Sequence, residues 1–295
     1  DVRAAMIKSG SRLSIIAWNE FTTDLPECSK MTPKDYWDAR ARGLGGSATD
    51  PYCSAAEENL LAYPGDPYAA ECILIHEFAH NIHLHGMSKV DPTFDSRLKA
   101  AYNAALAAGL WKGTYASVDH HEYFAEGVQS WFDNNRHDDH DHNHVHLRTQ
   151  LVEYDPGLAA LCREVFGDTV LKYTNPRTRL TGHLEGYDPA KAPKFEWPER
   201  LRSARDRIRR QAQERSRAGG AAARPLPSPG EAEARRLSVS RIPEAHMAAE
   251  EKGPAPRWSQ RTSDPFTSDV STERGRKPAR NNPAIAATIQ IGRAH

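Results

Sequence analysis

No run of this 295-residue chain approaches the roughly 18 consecutive apolar residues that a membrane-spanning helix needs, so no membrane span is expected. Nor is there an excess of one charge. The 39 basic residues balance 39 acidic ones, which gives no electrostatic reason to expect capture of nucleic acid or of an anionic membrane. The four cysteines, Cys28, Cys53, Cys72 and Cys162, show no CxxC spacing, which argues against a cysteine zinc site. Cys28 and Cys53 sit in loop-like sequence and could pair in a secreted protein. Cys72 and Cys162 fall on apolar helical faces, where buried free thiols are expected. The opening DVRAAMIKSGSRL lacks a signal-peptide pattern and begins with Asp1 rather than Met; it is expected to be a processed or truncated end, so that lack says little about compartment. Aromatic and apolar clusters thin out after Trp197, and from Ala218 onward Arg, Ala, Ser, Pro, Gly and Glu dominate. One folded domain over residues 1–210 is expected, followed by a disordered or artefactual low-complexity tail over 211–295. The closing IGRAH matches what a widely used sequencing adaptor encodes in one reading frame, and the tail is assigned no function.

What is present is uneven but readable. RLSIIAW, residues 12 to 18, is an apolar, β-branched run bounded by polar residues, as in a buried strand. TPKDYWDARARGL carries helix-start signals in Thr32 and Pro33. Gly43 to Pro67, rich in Gly, Ser, Pro and Asp, reads as a long ordered loop or a set of turns, and loops of that length usually serve a site. Then comes PGDPYAAECILIHEFAHNIHLHG, which reads as a central helix capped by Asp66, entered at Pro67 and stopped by a left-handed Gly86. Further helices are expected in SRLKAAYNAALAAGL, in HHEYFAEGVQSWF, in DPGLAALCREVFG with Asp155 as its cap, and in the charged RSARDRIRRQAQERSRA.

The central helix poses the question of the sequence. It places His76, Glu77, His80, His83 and His85 among Ile, Leu, Phe and Ala, where unpaired polar groups are costly. Residues four apart stand one turn above each other, so His76 and His80 can grip one metal ion from a single face. HExxH on a helix has a mechanical reading: two neutral imidazoles bind zinc, the ion acidifies a water, and Glu77 takes its proton as general base. A shuffle of this composition would show some HExxH roughly one time in twenty, but would rarely place it in an apolar helix. The metzincin continuation HExxHxxGxxH is absent, since His83 stands where the Gly should be and Gly86 where the third His should be. A third ligand must come from elsewhere. His83 is expected as an outer partner or a core histidine, and His85 at the surface.

The ligand candidate lies in TYASVDHHEYFAEGVQSWF, where Glu122 and Glu126 are one turn apart on a helix whose other face is apolar. Asp119, His120 and His121 are the nearest rivals for that role. A carboxylate from a second helix completes a His2Glu zinc site. A phenol such as Tyr115, if it reaches the cleft, can donate to the oxygen that becomes negative during peptide hydrolysis. His137, His140, His142, His144 and His146, set among aspartates, form either a second metal-binding loop or a solvated loop beside the site; the solvated loop is the expectation.

From His76 to Glu126 the chain resembles the glutamate-zincin (gluzincin) arrangement of the anthrax lethal-factor type catalytic domain, which the bacterial Pro-Pro endopeptidases share. The resemblance lies in the HExxH of His76, Glu77 and His80, and in Tyr115 followed, after six residues, by Glu122-Tyr-Phe-Ala-Glu126. It implies Glu122 as the third zinc ligand, Tyr115 as the oxyanion donor, and Glu126 as an outer partner that orients a ligand histidine. The span from WNEFTTDLPE through EWPERL also resembles a set of HEFAH-containing proteins of similar length.

The expected protein is therefore an α-rich α+β, zincin-like metallopeptidase domain with a small sheet, including residues 12 to 18, beside the HExxH helix. One catalytic Zn2+, a peptide or protein substrate cut internally, a monomeric state and, by resemblance, a secreted location complete the expectation. Two other readings compete: a catalytically idle zincin-fold domain that binds a protein or cell-surface partner, and a histidine-rich metal buffer holding several ions without hydrolysis.

Overall fold

A computed structural model describes residues 1–171, 174–178 and 180–217; the tail beyond 217 lies outside the described residues. Its elements run α1 (Val2–Lys8), β1 (Arg12–Ile16), α2 (Lys34–Arg40), β2 (Gly43–Leu44), β3 (Tyr52–Ala56), α3 (Glu57–Leu60), α4 (Ile73–Asn81), α5 (Ser88–Val90), α6 (Phe94–Ala107), α7 (His120–Trp131), α8 (Arg148–Tyr154), α9 (Pro156–Phe166) and α10 (Glu199–Arg217). The fold is α-rich with one three-stranded sheet, an α+β arrangement. Helix α10 crosses the expected domain boundary at 210. Among the described residues, no helix is long and apolar enough to cross a membrane.

The sheet has the order β1-β3-β2. Strand β3 pairs in parallel with β1, from Arg12 opposite Tyr52 to Ile16 opposite Ala56, and antiparallel with the short edge strand β2. All five residues of β3 are buried, and the small Ser54, Ala55 and Ala56 leave room for α4 to pack close against the strand. The run from Gly43 to Pro67, expected as loop or turns, thus contributes two strands and a short helix. Its Gly and Ser content reflects close packing as much as turning. Cys53, expected in a loop, is buried within β3, and all four cysteines are free, so the possible Cys28–Cys53 disulfide does not form.

The main core lies among the helices, where Phe94, Leu98, Trp111, Tyr123, Phe124, Trp131, Leu151 and Leu158 pack together. Gly127, in the middle of α7, has a purpose there: a Cβ would stand 2.6 Å from Leu158 Cδ2 of α9. A helical Gly costs about 1 kcal/mol against Ala, and here it permits the close approach of two helices. Asp155 caps α9 through Leu158 N at 3.0 Å, as the sequence predicts. Its other oxygen accepts from Trp111 Nε1 at 2.8 Å and from Tyr123 Oη at 2.6 Å, so one carboxylate ties three segments.

Two expectations for the central helix need correction. Helix α4 begins at Ile73 and not at Pro67. Asp66 instead closes a turn through Tyr68 N at 2.9 Å, and the helix start is satisfied from a distance: Asn59 Oδ1 accepts from Ile73 N at 2.9 Å, and Asn134 Oδ1 from Cys72 N at 2.5 Å. At the other end Gly86 is no left-handed stop. The helix widens to π type over Ile82–Met87 and runs on into α5. Gly86 makes room for α1, since a Cβ there would lie 2.6 Å from Val2 Cγ1 and 3.2 Å from Met6 Cγ.

Candidate metal centre

Helices α4 and α7 pack against each other and carry the predicted ligands on facing sides. Asp119 caps α7 by accepting from His121 N at 2.8 Å and Glu122 N at 3.0 Å, which removes it as a ligand rival. Glu122 is thereby fixed in the first turn. Its Oε2 lies 2.9 Å from His76 Nε2 and 3.3 Å from His80 Nε2, and all three side chains are buried. The ligand atoms of His76, His80 and Glu122 fall within 4.8 Å of one another, a group that could hold a metal ion. His120 and His121 turn instead towards Asp95.

The proton inventory tests the fit. Gln129, fully buried one turn beyond Glu126, donates from Nε2 to Glu71 Oε2 at 2.7 Å, which sets its amide so that Oε1 faces His76 Nδ1 at 2.9 Å. Glu126 Oε1 is a second acceptor on the same nitrogen, at 3.3 Å. Nδ1 of His76 therefore carries its proton, and Nε2 of the neutral ring presents a lone pair to a carboxylate oxygen. Two lone pairs 2.9 Å apart repel unless a cation lies between them. With no metal that cation is a second proton: burial opposes charging His76, but Glu122 and Glu126 outweigh it and hold the ring well above its ordinary pKa. Burial likewise opposes ionising Glu122, yet His80 and His76 keep it well below the usual carboxylate range. A divalent ion would answer the same demand with both rings neutral, so the donor set could hold such an ion.

Glu77 lines the same cavity, of about 310 Å³. Burial raises its pKa to about 7 against the lowering influence of His76 and His80. Tyr115 stands in a single 3₁₀ turn ahead of α7; its Oη donates to Glu122 Oε1 at 3.2 Å and accepts from Arg40 Nη2 at 3.1 Å. Burial and the charge of Glu122 raise Tyr115 well above an ordinary phenol, so it stays a donor. Glu126, whose Oε1 faces His76 Nδ1, also accepts from Asn135 Nδ2 at Oε2, 2.9 Å away.

Of the two readings of His83, the core histidine holds: it is fully buried and faces Asp95 Oδ1 at 3.0 Å rather than the His76–His80 pair. His85, expected at the surface, is buried with Nε2 2.7 Å from Ser47 O. His142, expected in a solvated loop, is instead buried with Nε2 3.3 Å from Glu126 Oε2. The residues that sequence reasoning missed are Arg40, Gln129 and two glycines. A Cβ on Gly45 would meet His80 Cδ2 at 2.2 Å, and one on Gly43 would meet Ser54 O at 3.0 Å and Glu77 Cγ at 3.2 Å. Gln129 had a signal, since it continues the Glu122–Glu126 stripe by one further turn. Arg40 had none, because only the fold brings α2 to the cleft. The backbone there is held by Arg42, whose Nε and Nη2 grip Glu58 at 2.5 and 2.9 Å in a fully buried fork.

Comparison of the chain with protein-family models, with curated proteins and with solved structures finds no match.

Proposed function

We propose that the protein is a zinc-dependent metallopeptidase of the glutamate-zincin type, with a zincin-like domain that cuts peptides internally. The observation that carries this reading is the meeting of His76 Nε2 and His80 Nε2 on one oxygen of Glu122, with the His76 proton held on the far nitrogen. A zinc ion held by His76, His80 and Glu122 would acidify a bound water to near neutrality and polarise a carbonyl.

The chain's own residues do the rest. Glu77, raised to about 7, is suited to take a proton from the attacking water at its carboxylate and pass it to the leaving amine. Tyr115 Oη offers its hydrogen to the carbonyl oxygen as that oxygen gains charge, and the Arg40 guanidinium beside it adds positive potential. Gln129 and Glu126 hold the His76 tautomer. Gly43 and Leu44, on the edge strand β2, line the cavity, and an edge strand offers backbone groups to an extended peptide, which favours an endopeptidase. The expected secreted location belongs to the same proposal.

The test is exposure of a broad peptide library to the zinc-loaded protein, read by mass spectrometry. Internal cleavage is expected, and Glu77→Gln should retain zinc while losing roughly 10²- to 10⁴-fold in rate. A zinc-loaded wild type that cuts nothing would overturn the peptidase reading in favour of the idle binding domain.

A further inference from the structure

His83 continues the histidine stripe of α4 in sequence, yet it serves another place. The helix widens over Ile82–Met87, and His83 reaches Asp95, in the first turn of α6. Around that carboxylate three imidazoles converge. His83 Nε2 and His120 Nε2 each lie 3.0 Å from Asp95 Oδ1, and His121 Nε2 lies 3.9 Å from the same atom. The ring centroids of His83 and His121 are 5.0 Å apart, and those of His120 and His121 are 4.1 Å apart. One ligand atom each from His83, Asp95 and His121 falls within 4.8 Å of the others.

A plain hydrogen-bonded cluster accounts poorly for this. Oδ1 has two lone pairs, which His83 and His120 fill, so a third ring gathered on it is surplus. His83 is fully buried against Phe94 and Phe124, and its Nδ1 has no hydrogen-bond partner among the described residues. An apolar side chain would fill that place without the cost of an unpaired buried nitrogen.

We propose that His83, Asp95 and His121, with His120 as fourth donor, form a second, structural site for a zinc-class divalent cation. Three nitrogens and one carboxylate suit a borderline ion better than calcium or magnesium, and four protein donors make a closed site. Asp95 and His121, with side chains 46% and 28% exposed, leave a way in from solvent. The ion would join the widened end of α4 to the first turns of α6 and α7. It would thereby fix the start of the helix that carries Glu122 against the helix that carries His76 and His80.

The test is zinc titration and thermal shift on the full chain. The wild type is expected to hold two equivalents, and His76→Ala/His80→Ala is expected to keep one and to gain Tm with zinc. Adding Asp95→Asn and His121→Gln to that variant should abolish both, while Asp95→Asn alone should weaken the remaining site at least about 10-fold. Zinc absent from His76→Ala/His80→Ala overturns the proposal, and so does zinc that survives the fourfold variant, which would place the ion elsewhere, such as in the 137–146 stretch. An ion that survives the first pair and leaves with the second supports this site even if the wild type cleaves no peptide, so its fate is separate from that of the peptidase reading.

Discussion

Two stretches of this chain are dense in histidine, and they meet opposite fates. In the span 73–86, His76, His80, His83 and His85 are all buried, on one helix and its widened continuation. In the span 137–146, His142 is the buried one of five, and three of the rings face a neighbouring aspartate: His137 to Asp138 at 2.9 Å, His140 to Asp141 at 3.2 Å, His142 to Asp139 at 2.8 Å. Both stretches hold donors a metal would accept. Only the first carries two of its rings on a helix and meets them on one carboxylate from another helix, whereas the second sends a single ring, His142, to Glu126 from a loop; that preorganisation separates a candidate site from a composition.

The sharpest way to break this contrast is to remove the distant carboxylate. Glu122→Ala is expected to lower zinc affinity by more than the roughly 10- to 100-fold typical of losing an outer partner, and to take peptide cleavage with it. The combined change of His137, His140, His144 and His146 to Ala should leave the affinity of the α4–α7 site in place. Competition with a chromogenic chelator reads both, and a loop variant as damaged as Glu122→Ala would erase the distinction.

Within the helical site, Tyr115→Phe separates chemistry from metal binding. The phenol donates to Glu122 Oε1 but does not belong to the ligand set. The cleavage rate is therefore expected to fall on the order of 10²-fold, with zinc affinity held within a few-fold. A loss of zinc equal to the loss of rate would show that Tyr115 supports the ligand and not the reaction. Gln129→Leu asks the converse. It removes one of the two acceptors on His76 Nδ1, and Glu126 Oε1 at 3.3 Å can take over part of the role. The expected loss of zinc affinity is thus near the low end, about 10-fold, and unchanged affinity would refute the tautomer argument.

The same contrast explains how far the sequence could be read. The period of four in His76 and His80, and in Glu122 and Glu126, is a helical property, so it survives translation from letters to geometry. Asp155 is a local cap, and local hydrogen bonds are visible locally; Asp119, read as a rival ligand, caps α7 in the same way. What stayed hidden depends on distant partners. The start of α4 is satisfied by Asn59 and Asn134, far away in sequence, so the local Asp-Pro signal misleads. Gly86 and Gly45 look like turn residues until α1 and His80 are seen pressed against them. His85 reads as surface because nothing nearby shows that the carbonyl of Ser47 will come to meet it.

The smallest expected effect concerns the one buried ring of the 137–146 stretch. His142 Nδ1 faces Asp139 at 2.8 Å and Nε2 faces Glu126 at 3.3 Å, so both nitrogens need protons. Burial opposes that charge, but Glu126 and Asp139 prevail and raise the pKa to about 10. A folded-state value above the unfolded value of about 6.5 means the contribution to stability is fully present below about pH 6.5 and is lost as pH rises through about 10. In chelator-treated protein, the wild-type Tm should therefore decline across that window more than the Tm of His142→Gln. His76 is raised as well and shares Glu126 with His142, so the difference between the curves reads the coupled His76–Glu126–His142 unit. His137→Ala, half-exposed at its side chain, should follow the wild-type slope and shift stability by less than about 0.5 kcal/mol. Parallel curves for wild type and His142→Gln would mean that the loop docks on the cleft without the charged pair, and that burial alone does not distinguish this histidine from its four neighbours.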